Sequence, residues 1–322
     1  MTNKAEFEKR RKVVVVGAGS VGATYCYALA QSGLADEIVL IDRNDDLLKG
    51  QVLDLVHGQP FFPTVEIRAG TSADYTDAKL VVITAGAAQK PGETRLQLLK
   101  KNSEIVGSIA ADVSAHNCEG VMLIVSNPVD VLAYVALKQS GWARGRVIGS
   151  GTVLDSARFR HLLGDNCGVD VHNVHAYMLG EHGDSEFAAW SMTHVAGISI
   201  DEYCPSCGKC SDWGNKRHIF EQQVRDSAYH IINYKGSTHY AVGLALVKIT
   251  EAILRGQSSV LTVSVLLEGE FGINDVCLSV PSIVSDGGVN KIIKSPLSSS
   301  EIEALKRSAD ILRQSIKSLE EN

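Results

Sequence analysis

Two groups of residues could do chemistry. The first is Gly17-Ala18-Gly19-Ser20-Val21-Gly22, a G-x-G-x-x-G spacing directly after the apolar run Val13 to Val16. Gly17 permits a tight turn, Gly19 lets the backbone approach a pyrophosphate, and Gly22 lets a helix and a strand pack closely. A helix opening there offers unbonded amides and partial positive charge to phosphates. Asp42, about 20 residues further on at the end of the next apolar run, completes a dinucleotide fingerprint. Its carboxylate can accept both adenosine ribose hydroxyls and repels a 2′-phosphate, which favours NAD over NADP, although Arg43 stands beside it. The competing reading is a glycine-rich turn that binds nothing.

The second group comprises Asp155-Ser156-Ala157-Arg158 and Gly180-Glu181-His182-Gly183-Asp184. Beside a nicotinamide, such residues suit the interconversion of an alcohol and a ketone: hydride goes to the carbonyl carbon while an acid protonates the oxygen. His182 suits the acid, because imidazole titrates near neutrality. Asp155 would hold its other nitrogen. Arg158 would grip a substrate carboxylate through two parallel hydrogen bonds. Read singly, these are a surface histidine and a helical ion pair.

These side chains need a frame. Val13 to Val16, Ile38 to Ile41, Leu80 to Thr84 and Val121 to Val125 are short β-branched runs separated by helical periodicity, the pattern of a parallel sheet covered on both faces. The fold class expected is α/β, a doubly wound parallel sheet of Rossmann type over residues 1–150, followed by an α+β substrate-binding and catalytic domain over 151–322. Thr94 to Ala115 reads as one long helix, and Pro128 suits the first turn of another. Ile302, Leu305, Ala309, Leu312, Ile316 and Leu319 form a final helical stripe, with Ser300 and Glu303 as a capping box.

The chain has 322 residues, 45% hydrophobic and 21% charged, which excludes bulk disorder. No apolar run approaches a membrane span. A net charge of −6 argues against broad nucleic-acid binding. Basic residues before Val13 resemble a signal peptide only until Gly17 ends the run. Seven cysteines, an odd number, fit a reduced, cytoplasmic protein. Cys204, Cys207 and Cys210 could share a zinc, with His218 imagined as a fourth ligand, or a disulfide, or lie as thiols in a surface turn. No metal is expected in the catalytic site.

Along nearly its whole length the chain resembles the L-lactate dehydrogenases, of bacterial type, in the lactate/malate dehydrogenase family. The segments that carry this are Gly17 to Gly22, Thr84-Ala85-Gly86, Gln89 to Leu96, Ser126-Asn127-Pro128-Val129-Asp130, Leu154 to Arg160 and Gly180 to Asp184. The resemblance implies a loop from about Gly86 to Leu96 that closes over substrate, bringing in Arg95 to polarise the ketone. It implies that Asn127 orients the reacting oxygen and the nicotinamide, that Val21, Gly86 and Val242 contact the coenzyme, and that Thr238 lines the substrate methyl.

Malate enzymes of the family carry an arginine where this chain has Gln89. A neutral amide leaves a second carboxylate unpaired on burial, at a cost of several kcal/mol, so pyruvate and lactate are the expected substrates. A malate or broader 2-hydroxyacid dehydrogenase is the nearest alternative, and a non-catalytic dinucleotide-binding protein the more distant one. The resemblance also implies a homotetramer and an allosteric contact with fructose 1,6-bisphosphate through Arg160 and His175. Ala88 and His239 depart from the usual pattern.

Overall fold

The computed structural model describes residues 10–87, 92, 94–209 and 212–321. The first half alternates strand and helix: β1 (Lys12–Val16), α1 (Ser20–Ser32), β2 (Glu37–Ile41), α2 (Asp45–His57), β3 (Glu66–Ala69), β4 (Leu80–Ile83), α3 (Arg95–Ala115), β5 (Val121–Ile124), α4 (Val129–Ser140) and β6 (Val147–Gly149). These six strands run parallel in the order β3-β2-β1-β4-β5-β6. The four β-branched runs of the sequence are its central members.

Alternation along the strands divides the core in two. Val14, Val16, Val81, Ile83, Met122 and Ile124 face the cluster that includes α3 and α4. Val13, Val15, Ile38, Leu40, Val82 and Leu123 face the opposite cluster, which includes α1. Of the basic residues ahead of Val13, the described Arg10, Arg11 and Lys12 all form ion pairs: Lys12, almost fully buried, reaches Asp77 at 2.6 Å, Arg11 reaches Asp36 at 2.6 Å, and Arg10 reaches Glu37 at 3.2 Å.

The second half is less regular. It holds α5 (Val153–Cys167), β7 (Val174–His175), β8 (Met178–Leu179), β9 (Phe187–Ala188), β10 (His194–Val195), β11 (Ile198–Ser199), α6 (Ile200–Cys207), α7 (Trp213–Lys235) and α8 (Tyr240–Leu254). After these come β12 (Ser259–Leu261), β13 (Ser264–Glu268), β14 (Asn274–Ser279), β15 (Ser282–Ser285), β16 (Gly288–Ile292) and α9 (Ser299–Glu320). Its own core gathers Phe159, Leu163, Met178, Val195, Phe220 and Val224.

The halves are not separate bodies. The β13–β14 hairpin adds antiparallel to β6 and extends the sheet to eight strands. Helix α8 packs on α1, where Tyr25 Oη and Thr250 Oγ1 lie 2.6 Å apart in full burial.

Two local expectations are revised. The capping box of α9 is Ser298 with Glu301, two residues before the expected pair: Ser298 Oγ accepts the Glu301 N–H, and Glu301 accepts the Ser298 N–H. A tertiary partner decides this, because Glu301 also accepts the N–H and hydroxyl of Ser191. The Cys204 segment is a helix, α6, rather than a surface turn. Ser199 caps it, and Ile200 and Cys204, four residues apart, are both buried. Cys210 lies outside the described residues.

Candidate active site

The sheet order reverses between β1 and β4, so a crevice opens at their carboxyl ends, where ligands settle in such folds. The fingerprint glycines sit there. Gly17 has φ +110°, and a Cβ on it would lie 2.7 Å from Ala85 N. A Cβ on Gly22 would lie 1.9 Å from Gly17 O, so strand turn and helix touch directly. Thr84 Oγ1 donates to Gly17 O at 2.9 Å and braces the turn from β4. A Cβ on Gly19, by contrast, would meet nothing within 4 Å among the described residues. Among the described residues no side chain caps the α1 N-terminus. Open space, uncapped amides and a nearby acid are what a dinucleotide pyrophosphate and ribose require, so these residues fit NAD. Asp42 also braces the fold, since its carboxylate accepts the Ala18 N–H at 2.7 Å and the Asn44 N–H at 2.9 Å, tying the glycine turn to β2.

A cavity of about 270 Å³ continues the crevice, lined in part by Val21, Thr84, Gly86, Ser126 and Asn127. Asn102 lines it too. It occupies an inward position of α3 between Leu99 and Val106, accepts the Ala87 N–H at 2.7 Å and donates to Asn127 O at 3.1 Å. It thereby splints the ends of β4 and β5. A polar residue on an apolar helical stripe was the signal available in the sequence.

Asp155, in the first turn of α5, is almost fully buried. Its Oδ2 lies 2.7 Å from His182 Nδ1, and its Oδ1 accepts from Arg158 Nη1, also at 2.7 Å. With Nδ1 so held, Nε2 is the nitrogen left to meet a substrate. The His182 backbone N–H donates to Asp130 Oδ2 at 2.7 Å, and Ser264 donates to Asp130 Oδ1 at 2.5 Å. Buried Asp130 therefore joins the start of α4, the hairpin strand β13 and the histidine loop. The loop is buttressed from behind by α9, where Ser308 donates to Ser185 O at 2.9 Å.

Burial works against a charged imidazole, but the carboxylate beside it outweighs burial. Attraction and a hydrogen bond from Asp155 are the main upward causes, and they push the His182 pKa up to about 9. Burial acts upward on Asp155, yet His182 and Arg158 hold it below the usual carboxylate range. Burial raises Asp130 to about 6 despite its two donors. Glu186 is pushed well above its ordinary value, first by burial and then by the Asp155 charge, with His182 and Arg158 opposing. Asp130, set in the apolar run from Val129 to Leu137, and Glu186, set before Phe187, are given no role by the sequence, because their partners come from distant segments.

The remaining expected residues are scattered more widely. Arg95 opens α3 and is exposed; among the described residues it has no hydrogen bond to Asp155, Arg158 or His182. Its charge acts on Tyr229 of α7, whose hydroxyl donates to Asp184 at 2.8 Å. Gln89 and much of the expected closing loop lie outside the described residues. Thr238 is half-buried in the link between α7 and α8, and Val242 lies in the first turn of α8, which packs on α1. Arg160 donates through Nε to Ala176 O at 3.0 Å and lies over the Tyr177 ring, while neighbouring His175 is exposed.

A dinucleotide crevice beside a carboxylate-held histidine and an inward arginine defines a nicotinamide-dependent dehydrogenase. Residues 11–149 match the lactate/malate dehydrogenase NAD-binding domain, and residues 152–322 match the α/β C-terminal domain of the same family. The chain belongs to the lactate/malate dehydrogenase family and is an NAD-dependent oxidoreductase. It is 60% identical to an L-lactate dehydrogenase of Treponema denticola, over 95% of this chain and 98% of that protein. Identity to an L-lactate dehydrogenase of Acetivibrio thermocellus is 50%, over 96% of this chain and 98% of the relative. A crystal structure of a lactate dehydrogenase from a Medee basin deep-sea metagenome library superposes with a TM-score of 0.94 at 44% identity, covering 97% of this chain and 99% of that one.

Proposed function

We propose that the chain is an L-lactate dehydrogenase that interconverts pyruvate and L-lactate. The observation that carries this is the 2.7 Å contact between His182 Nδ1 and Asp155, with Arg158 anchored on the same carboxylate. The bound coenzyme supplies or accepts the hydride. His182 gives its Nε2 proton to the carbonyl oxygen, and Asp155 stabilises the imidazolium and fixes its tautomer. Arg158 holds the substrate carboxylate with the nitrogens that Asp155 leaves available. Asn127 and Arg95 act on the reacting oxygen, Arg95 after the loop that carries it closes. Gln89 and Thr238 border the methyl group, and Gly17, Gly19, Val21, Gly22, Asp42, Gly86 and Val242 hold the coenzyme. Residues 1–150 serve as the coenzyme domain and 151–322 as the substrate domain.

Among the described residues no helix is long and apolar enough to cross a membrane. Buried thiols at Cys26, Cys118 and Cys277 support a cytoplasmic home. Exposed Tyr27, Phe61, Tyr240, Leu244 and Val260 support self-association, for which the homotetramer is our reading. Arg160 and His175 are our choice for a fructose 1,6-bisphosphate contact, and a pyruvate-saturation curve unmoved by that sugar would remove it.

The deciding experiment follows NADH oxidation with pyruvate and with oxaloacetate. Pyruvate should be reduced far faster, Gln89→Arg should invert the preference, and His182→Asn should abolish turnover while NADH still binds. Preference for oxaloacetate in the unaltered protein would overturn the assignment.

A further inference from the structure

The chemistry proposed above leaves Glu186 idle. This residue closes the histidine loop just before β9 and is 4% exposed. One of its oxygens, an oxygen of Asp155 and a nitrogen of His182 all lie within 4.8 Å of one another. Its Oε2 is buried without a hydrogen-bond partner among the described residues. The charged groups that face it are Asp155 and Arg158 from α5, His182 from its own loop and Arg225 from α7. Among the described residues no cation forms an ion pair with its carboxylate. Arg158 and His182 are bound to Asp155, and Arg225 donates to the Glu186 main-chain oxygen at 3.1 Å.

Two carboxylates this close in a dry pocket do not both ionise. Asp155 has the imidazole and the guanidinium, so it keeps the charge, and the proton falls to Glu186. We propose that Glu186 is a positioning residue that stays a neutral acid in the working enzyme and donates its O–H to Asp155, a third donor beside His182 and Arg158. The inference rests on the acid role of His182 given above.

Two consequences follow from that arrangement. With Glu186 neutral, Asp155 negative, and Arg158 and His182 positive, the cluster carries one net positive charge, which the single carboxylate of a 2-oxo acid neutralises. An ionised Glu186 would cancel that attraction before substrate arrived. The third donor also draws charge from Asp155 and loosens its hold on the imidazolium proton, which has to leave during each reduction.

Infrared spectroscopy of the resting protein at neutral pH, with neither coenzyme nor substrate, should show the C=O stretch of a protonated carboxylic acid that disappears in Glu186→Gln. In kinetics, Glu186→Leu removes the donor. It should raise the pH midpoint of pyruvate reduction by about half to one unit and lower kcat about tenfold, with KM for pyruvate little changed. Glu186→Gln keeps a neutral donor and should restore most of the rate and the original midpoint. No such band, together with a lower midpoint in Glu186→Gln, would mean that Glu186 is ionised and would overturn the proposal. A Glu186→Leu enzyme indistinguishable from the unaltered one would overturn the positioning role. The band and the Gln variant decide the protonation state even if Glu186→Leu fails to fold. Because the band is read without turnover, a protein inactive on pyruvate would sink the lactate assignment and leave this question intact.

Discussion

His182 keeps its proton through neutrality because Asp155 repays more than burial takes away, and this sets a direction for catalysis. Pyruvate reduction needs the imidazolium and should stay level from pH 6 to 8, then fall above about 9, while lactate oxidation needs the neutral ring and should climb toward the same value. Stopped-flow rates across pH in both directions check this. The same shift acts on folding. A histidine whose folded pKa exceeds its unfolded value of about 6.5 stabilises fully below that value and loses its contribution as pH rises through about 9. Thermal unfolding midpoints should therefore decline on the alkaline side. Asp155→Asn removes the compensation and leaves the burial, so the imidazole midpoint should drop below its ordinary value. Pyruvate reduction should fall by roughly 10⁴, as when a triad carboxylate is neutralised. A pH–rate profile unmoved in that variant would separate Asp155 from the acid step. At this scale the geometry is partly legible in the sequence. His182, Asp155 and Arg158 could be picked out because their types suit one reaction, and the structure brings them into contact. Asn102 shows in the sequence only as a polar break in an apolar stripe, and the partners of Asp130 and Glu186 come from distant segments, so no local pattern assigns these three their roles.

The turn from β1 into α1 lets two glycines of one motif be told apart. Gly22→Ala would drive a Cβ into the Gly17 carbonyl at 1.9 Å, a backbone clash that cannot relax. Stability should fall by about 3 kcal/mol or more, in the range of severe overpacking, and NADH binding should go with it. Gly19→Ala meets open space, so its unfolding midpoint should barely move while NADH affinity drops. Calorimetry paired with NADH fluorescence titration distinguishes the two outcomes. Equal destabilisation by both variants would mean that the space above Gly19 is not reserved for a ligand. Elements such as β1 and α3 were readable because their signals are local: a β-branched run, and a Thr94 cap whose hydroxyl accepts the Gln97 N–H. The start of α9 departs from its local pattern for the converse reason, since Glu301 is claimed by Ser191, 110 positions earlier in the chain.

Across the whole molecule, the six-strand order follows from right-handed crossovers, but the β13–β14 hairpin does not. Its partner β6 lies far back in the chain, and strand pairing over such a separation leaves no trace in hydrophobic periodicity. The hairpin makes the two halves mutually dependent, as does α8, which covers α1. A fragment of residues 1–150 would expose the β6 edge and the apolar flank of α1, and it should populate a poorly cooperative or aggregated state. Circular dichroism melting of that fragment, set against the full chain, tests the point; a sharp transition near the parent midpoint would show the halves to be independent.

The buttress that Ser308 provides behind Ser185 has a consequence for the life of the polypeptide. Helix α9, 22 residues long, is translated after every other element of this fold. A prematurely terminated product, or one clipped near Pro296, would still carry the glycine turn but would have nothing behind the catalytic loop. Such a species would also bare the core that Leu305, Ala309, Leu312 and Ile316 cover, so a chain lacking α9 should aggregate rather than linger as a half-active enzyme.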